Sequence, residues 1–304
     1  MRILVTGSCG YVGASLVPKL RAAGHVVSGI DVKWFYDDGE SADADVRHYP
    51  VDDFGFDCVI HLAAISNDPT SSEFPRRSWE TGTLATYRLA DAAARAGARF
   101  IYASSVSVYG ADRGMVTEDM DLRPLSDYNK HKMVAERVLL SYADRMPVQI
   151  IRPATICGLS PRMRLDLTVN MLTVQALRDG VMTVFGGQQW RPSIHIDDMT
   201  DLYLFMVEHP HRTGIWNAGF ENYTIAEIAE IISKETGAEV KVTPERDRRS
   251  YQVNSEKLWS VFKPNKSVYD AVYELIDAWK AGTLKDDPRW NNFSYMKQLG
   301  IVDA

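Results

Sequence analysis

The chain has 304 residues, 45% of them hydrophobic and 24% charged, enough to bury a sizeable core in one large or two modest domains. A formal net charge of -6 argues against a general polyanion binder, so no nucleic-acid partner is expected. No apolar run reaches the ~18 residues of a membrane span, and the opening "RILVTG" leaves no room for a signal peptide, so a cytoplasmic protein without a membrane partner is expected. Cys9, Cys58 and Cys157 are scattered and form no Cys-x-x-Cys pair, which predicts buried free thiols and no metal site.

In chain order, "RILVTG", "HVVSGID", "CVIHLAA", "RFIYASS" and "VQIIRPA" each read as a buried strand rich in Val and Ile. Amphipathic stretches lie between them, such as "ASLVPKLRAAG" and "TYRLADAAARAG", the latter closed by Gly97. Repeated strand–helix–strand units predict an α/β fold, a doubly wound parallel sheet covered by helices on both faces. The pattern loosens after about residue 155. Helices are expected at "LDLTVNMLTVQALRDG", at "YTIAEIAEIISKETG" with Thr224 as N-cap and Gly237 beyond its end, and at "SVYDAVYELIDAWKAG"; "AEVKVTPE" reads as a strand. The expected organisation is a Rossmann-type domain over 1–165, with 190–210 returning to it, and a smaller α/β substrate-binding lobe over 166–304.

The stretch "TGSCGYVG" places glycines at 7, 10 and 13 between the first strand and the first helix. Gly7 permits the turn, Gly10 lets backbone N–H groups approach a pyrophosphate, and Gly13 lets the helix pack closely. The helix N-terminus then offers free N–H groups to phosphates. A lone glycine pattern is weak, but here a second strand follows and ends at Asp31, about 20 residues downstream, where an acid accepts hydrogen bonds from the ribose hydroxyls. Asp31 repels a 2'-phosphate and so favours NAD over NADP, with Lys33 nearby as the one opposing charge.

Tyr128 and Lys132, in "SDYNKHK", are four apart and share a helix face, with Ser126 and Asp127 as caps. The strand "RFIYASS" ends in serines at the carboxyl edge of the sheet, where such folds bind ligands, so Ser105 reaches the same pocket. The three suit hydride transfer from a secondary alcohol. Ser105 holds the alcohol oxygen and Tyr128 takes its proton. The Lys132 ammonium and an oxidised nicotinamide together favour the tyrosinate. Lowering a phenol from ~10 to ~7 takes about 4 kcal/mol, a plausible demand on two nearby cations.

These motifs jointly resemble the extended short-chain dehydrogenase/reductases, in their NAD-dependent nucleotide-sugar epimerase/dehydratase branch. The matching pieces also include "ADV" at 44–46, "HLAA" at 61–64, "YASSVSVYG" at 102–110, "RPATICG" at 152–158 and "RPSIHIDDM" at 191–199. The resemblance implies that Gly7, Gly10, Tyr11 and Val12 surround the cofactor diphosphate, Asp31 the ribose, and Asp45 and Val46 the adenine. It places Leu62, Ala63 and Ala64 along the cofactor, makes Ser105, Tyr128 and Lys132 catalytic, and gives Asn170, Arg191 and Arg249 to the nucleotide sugar. His195 reads as structural, and Asp197 and Asp198 as caps. Two departures stand out. Gly82 replaces an Asn that in the family shapes the nicotinamide region, and the link from Asp31 to "ADV" is short, which predicts an open adenine side.

Sugar 4,6-dehydratases of the family carry an acid pair after the catalytic hydroxyl, because elimination needs a second acid and base. Here those positions are Val106 and Ser107. The expected activity is therefore transient oxidation of a nucleoside-diphosphate sugar, at C4, with the hydride returned to the opposite face: an epimerase. A nucleotide-sugar dehydrogenase or 4-ketoreductase is the alternative, and a non-catalytic NAD(P)-sensing protein a third reading. The family resemblance further implies a homodimer through helices near 82–97 and 128–145.

Overall fold

The structure is a computed structural model, described here over residues 1–52, 54–244 and 250–303. Its centre is a seven-stranded, all-parallel sheet. The first five strands in chain order are β1 (Arg2–Thr6), β2 (Val26–Asp31), β3 (Ala42–Asp43), β4 (Cys58–His61) and β5 (Arg99–Ala103). Across the sheet the order is Gly214–Ala218, Val148–Pro153, β5, β4, β1, β2, β3. Chain order reverses between β1 and β4, and a doubly wound sheet opens its ligand crevice at that reversal. All five expected strands lie in this sheet.

Helices cover both faces, so the strands are buried on two sides and read as nearly continuous apolar runs. On one face α1 (Gly13–Ala22) and the helix Ile196–Glu208 pack through Leu16, Leu20, Met199 and Tyr203. On the other, the helices Ala85–Ala96 and Asp127–Leu140 pack through Leu89, Ala93, Ala135 and Leu139. Gly97 closes its helix in the left-handed conformation, as expected. The strand Gly214–Ala218 forms the outer edge of the sheet, beyond the 190–210 stretch read as returning to it.

A separate apolar core gathers the helices Thr168–Asp179, Ile225–Thr236 and Val268–Lys280. Two small sheets belong with it: Thr155–Cys157, Trp190–His195 and Glu221–Thr224, and the parallel pair Val181–Phe185 and Glu239–Thr243. Thr224 caps its helix in a reciprocal capping box with Glu227, and Gly237 ends it at φ +74°. All three cysteines are buried and free. His195 caps the helix Ile196–Glu208 through the Asp197 N–H, and Asp198 instead accepts from the Asn265 and Lys266 N–H groups. Of the acids expected as caps, then, neither is one; the histidine before them takes that place. Among the described residues no helix is long and apolar enough to cross a membrane.

Candidate active site

The glycine turn follows β1. Gly7 has φ +74°, and a Cβ there would lie 2.7 Å from the Ala63 nitrogen, so the turn sits directly against the chain leaving β4. A Cβ on Gly13 would fall 2.2 Å from the Gly7 carbonyl oxygen. Gly13 is thus required by the turn's own backbone, a closer constraint than packing against the sheet. α1 begins at Val12 without a side-chain cap, unlike the helices capped by Ser126, Thr224 and Ser267. The Ala14 and Ser15 N–H groups bond back to the Gly10 and Val12 carbonyls at 2.9 and 3.2 Å, so the donors for a phosphate are left to the glycine turn that leads into the helix.

A cleft of about 740 Å³ runs from this turn to the second core. Gly7, Gly10, Tyr11 and Val12 form its floor, and Asp31 stands at the end of β2. The Asp31 carboxylate accepts from the Cys9 N–H at 3.1 Å and the Lys33 N–H at 2.9 Å. A carboxylate has about four acceptor sites, so ribose hydroxyls remain within its capacity. Lys33 turns its ammonium to Asp37 at 2.6 Å, which neutralises the one charge that favoured a phosphorylated ribose. Asp45, paired with Arg47, and Val46 line the cleft beyond, and Leu62, Ala63 and Ala64 line it after β4. Phe35, in the link after Asp31, meets Tyr295 at 5.9 Å between ring centres, and Asn291–Ser294 and Met296 line the cleft.

Ser105, Tyr128 and Lys132 come together on one wall. The helix carrying the last two starts at Ser126, whose hydroxyl accepts from the Asn129 N–H at 3.2 Å. Ser105 ends the loop after β5 and caps the 3-10 turn Val106–Tyr109. Its hydroxyl lies 2.8 Å from that of Ser107, which donates to Asn129 Oδ1 at 2.6 Å. Because the single Ser107 proton goes to Asn129, Ser105 must donate to Ser107, leaving its own oxygen an acceptor toward the cleft.

The expected tyrosinate needs the charge of an oxidised nicotinamide as well as Lys132; the wall by itself does not favour it. Burial pushes the Tyr128 phenol up to about 12, with Asp68 adding to the rise and Arg164 and Ser105 opposing it. Burial likewise pushes Lys132 down to about 7, against the pull of Glu136. The Lys132 ammonium donates to the Ala103 carbonyl at 2.6 Å and stands 5.9 Å from the centre of the Tyr128 ring. A dry wall disfavours both ions, so by itself the pair favours a neutral phenol.

Gly82 lies in the single π-helical turn Glu80–Leu84. A Cβ there would be 2.2 Å from His131 Nδ1, so the His131 ring fills the space that the Asn of the family would enter.

Of the three residues expected to meet a nucleotide sugar, Arg191 lines the cleft on the strand Trp190–His195. Asn170 does not. It is fully buried, its oxygen accepting from the Gly158 N–H at 3.0 Å and its amide donating to the Tyr11 hydroxyl at 3.1 Å and the Arg164 carbonyl at 3.0 Å. It props Tyr11 and the Arg164 loop from behind. Arg249 lies outside the described residues. Not foreseen were Phe185 and Gln189 beside Arg191, and the buried Arg162 and Arg164. The run "PRMRLD", two arginines beside an acid, is the signal in the sequence from which the last two could have been found.

A parallel doubly wound sheet, a glycine turn that admits no side chain, an acid ending β2 and a serine–tyrosine–lysine wall define a dinucleotide-dependent oxidoreductase site. The particular family follows from comparison. Residues 3–219 match the NAD dependent epimerase/dehydratase family, and the chain belongs to it. A UDP-glucose 4-epimerase of Lactobacillus helveticus is 26% identical, over 92% of this chain and 96% of its own. A UDP-glucuronic acid decarboxylase 1 of Danio rerio is 27% identical, over 76% of this chain and 60% of its own. The structure of MoeE5 in complex with UDP-glucuronic acid and NAD superposes with a TM-score of 0.83 at 29% identity, covering 93% of this chain and all of that one. The protein is an NAD-dependent enzyme of this family, and the uncapped helix and glycine cradle fit that cofactor.

Proposed function

We propose that the protein is a nucleoside-diphosphate-sugar epimerase working by transient oxidation at C4 of the sugar. The observation that carries this reading is the wall around Ser105. The positions where family dehydratases carry an acid pair are Val106 and Ser107, and the Ser107 hydroxyl is spent on Asn129. Oxidation and reduction at one carbon need one base and one oxygen holder, and the wall supplies both. In this reading Gly7, Gly10, Tyr11 and Val12 face the diphosphate of NAD, Asp31 the ribose, Asp45 and Val46 the adenine, and Leu62, Ala63 and Ala64 the body of the cofactor. Arg191 faces the sugar nucleotide's diphosphate, where a guanidinium fork suits phosphate oxygens. Phe185 offers the base a flat apolar surface, and Asn170 acts only through Tyr11.

When bound, oxidised NAD supplies the hydride acceptor and a positive charge. The chain's residues handle the proton. Tyr128 takes it from the C4 hydroxyl and returns it when the keto sugar is reduced on its other face, so no proton is gained or lost over a cycle. Ser105 binds the same oxygen by turning its hydroxyl from Ser107 to donate to it, in the alcohol as its proton passes to Tyr128 and in the ketone that results. Lys132 favours the tyrosinate once the cofactor's charge joins its own.

Incubation with UDP-, GDP- and dTDP-hexoses, with products read by NMR, is expected to invert C4 of at least one sugar without net NADH. Accumulating NADH would establish a dehydrogenase instead, and release of carbon dioxide from a uronic acid a decarboxylase.

We also propose that two copies pair through the helices Ala85–Ala96 and Asp127–Leu140, forming a four-helix bundle. Leu84 and Tyr87, 57% and 52% exposed, and Leu140 leave apolar surface on this face. Light scattering after size exclusion is expected to give a dimer, and Tyr87→Glu a monomer; a monomeric wild type would reject the pairing.

A further inference from the structure

Arg162 takes no part in the chemistry above, yet its environment is anomalous. It is 2% exposed. Among the described residues no carboxylate lies within ion-pair distance of it, whereas Arg164, two residues on, is gripped by both oxygens of Asp166 at 2.8 Å. The Arg162 guanidinium lies 4.3 Å over the Phe35 ring, one of its nitrogens donates to Asn292 Oδ1, and its Nε–H has no partner. Burial, followed by repulsion from Arg164, lowers it to about 9. Asp166 and Asp31 favour its charge only from beyond ion-pair contact, and a buried cation that touches no anion is costly, so an anion is expected beside it. Arg162 lines the same cleft as Gly7, Gly10, Tyr11 and Asp31.

We propose that Arg162 clamps the diphosphate of the bound dinucleotide, and that the segment 291–303 latches this clamp in place across the cleft. The latch is fastened at four points. Asn292 accepts from Arg162 and donates to Ser66 at 3.1 Å. Tyr295 packs on Phe35, and Met296 is buried with Ile65 and Phe74. The Asp303 carboxylate accepts from the Arg76 and Arg77 N–H groups at 2.9 and 2.7 Å. The diphosphate supplies the charge that Arg162 lacks, and the fork geometry of a guanidinium matches it. The physical consequence is slow cofactor release. An epimerase ends each cycle with its cofactor in the starting state, so retention costs it nothing, and the inference rests on that reading of the site only for its benefit.

The test measures NAD carried by the full-length protein through gel filtration, and the binding of NAD, ADP-ribose and adenosine to NAD-free protein by calorimetry. Arg162→Met is expected to lose bound NAD and to weaken NAD and ADP-ribose roughly 30-fold or more, the low end for truncating one partner of a buried charge pair. Adenosine, which has no phosphate, is expected to change far less. Asn292→Ala, which keeps Arg162, is expected to speed NAD dissociation. Arg178→Met, removing a surface guanidinium far from the cleft, serves as control. Retention of NAD by Arg162→Met at the wild-type level, or an equal loss for adenosine and ADP-ribose, overturns the clamp. Unchanged NAD dissociation in Asn292→Ala overturns the latch. A wild type that binds no NAD fails the cofactor reading instead. If Arg162→Met does not fold by circular dichroism, Arg162→Lys carries the same comparison, since a point charge cannot reproduce the fork.

Discussion

Tyr128→Phe is expected to lower turnover by roughly 10²–10⁴-fold, the range for removing a positioned proton-transfer group, while leaving NAD binding within a few-fold of wild type. The phenyl ring keeps the packing of a half-buried position beside His131, and only the hydroxyl is lost. The same variant reads out the electrostatics. In NAD-free protein the phenol is held up at about 12 by burial, so it is protonated at neutral pH and at pH 9. A cation placed near it lowers that value, so adding NAD at pH 9 should raise the tyrosinate absorbance near 295 nm in wild type and not in Tyr128→Phe. Turnover surviving in Tyr128→Phe would remove the base from the mechanism. An NAD-induced absorbance identical in both proteins would show that the cofactor's charge acts elsewhere.

Glu136→Ala is expected to destabilise the fold by about 3–5 kcal/mol, because it strands a buried guanidinium. Glu136 and Arg152 are each 2% exposed at their side chains and meet through two bonds, at 2.9 and 2.6 Å. Ser104 donates to the same carboxylate, Arg152 donates to the Tyr109 hydroxyl at 2.7 Å, and that hydroxyl donates to Asn217 at 2.8 Å. This network stands directly behind the wall. Ser104 precedes Ser105, and Glu136 is one helical turn beyond Lys132, whose charge it supports. Removing Glu136 therefore also moves Lys132 below its value of about 7, so the ammonium is lost at lower pH. Urea unfolding monitored by tryptophan fluorescence measures the first effect. Glu136→Leu combined with Arg152→Met should recover most of the loss, since an apolar pair of similar volume replaces a buried ion pair at little cost. A loss below about 1 kcal/mol for Glu136→Ala would mean that water reaches Arg152.

The parts of the site that were legible in the residues share one property: each is built within a few residues or a single strand–turn–helix unit. The glycine turn is closed by its own backbone, as the fit of Gly13 against the Gly7 carbonyl shows. Asp31 follows at the end of the next strand, and Tyr128 and Lys132 share a face by helical spacing alone. Asn170 was misplaced for the opposite reason. Spacing puts it on a helix, but which way that face turns depends on Tyr11, 159 positions away. The cleft-lining residues Asn291–Ser294 and Met296 were not legible for the same reason, because they arrive from the far end of the chain.

What the sequence determined alone is therefore the parallel sheet, the glycine turn and the shared helix face of Tyr128 and Lys132, since hydrophobic period, glycine sterics and helical spacing act locally. Only the tertiary structure decided which ions are stable there. Burial raises Tyr128 and lowers Lys132, and it leaves Arg162 without a carboxylate in ion-pair contact among the described residues, 130 positions from the Asn292 that holds it. Desolvation depends on everything packed around a group, and no short stretch of chain contains that information.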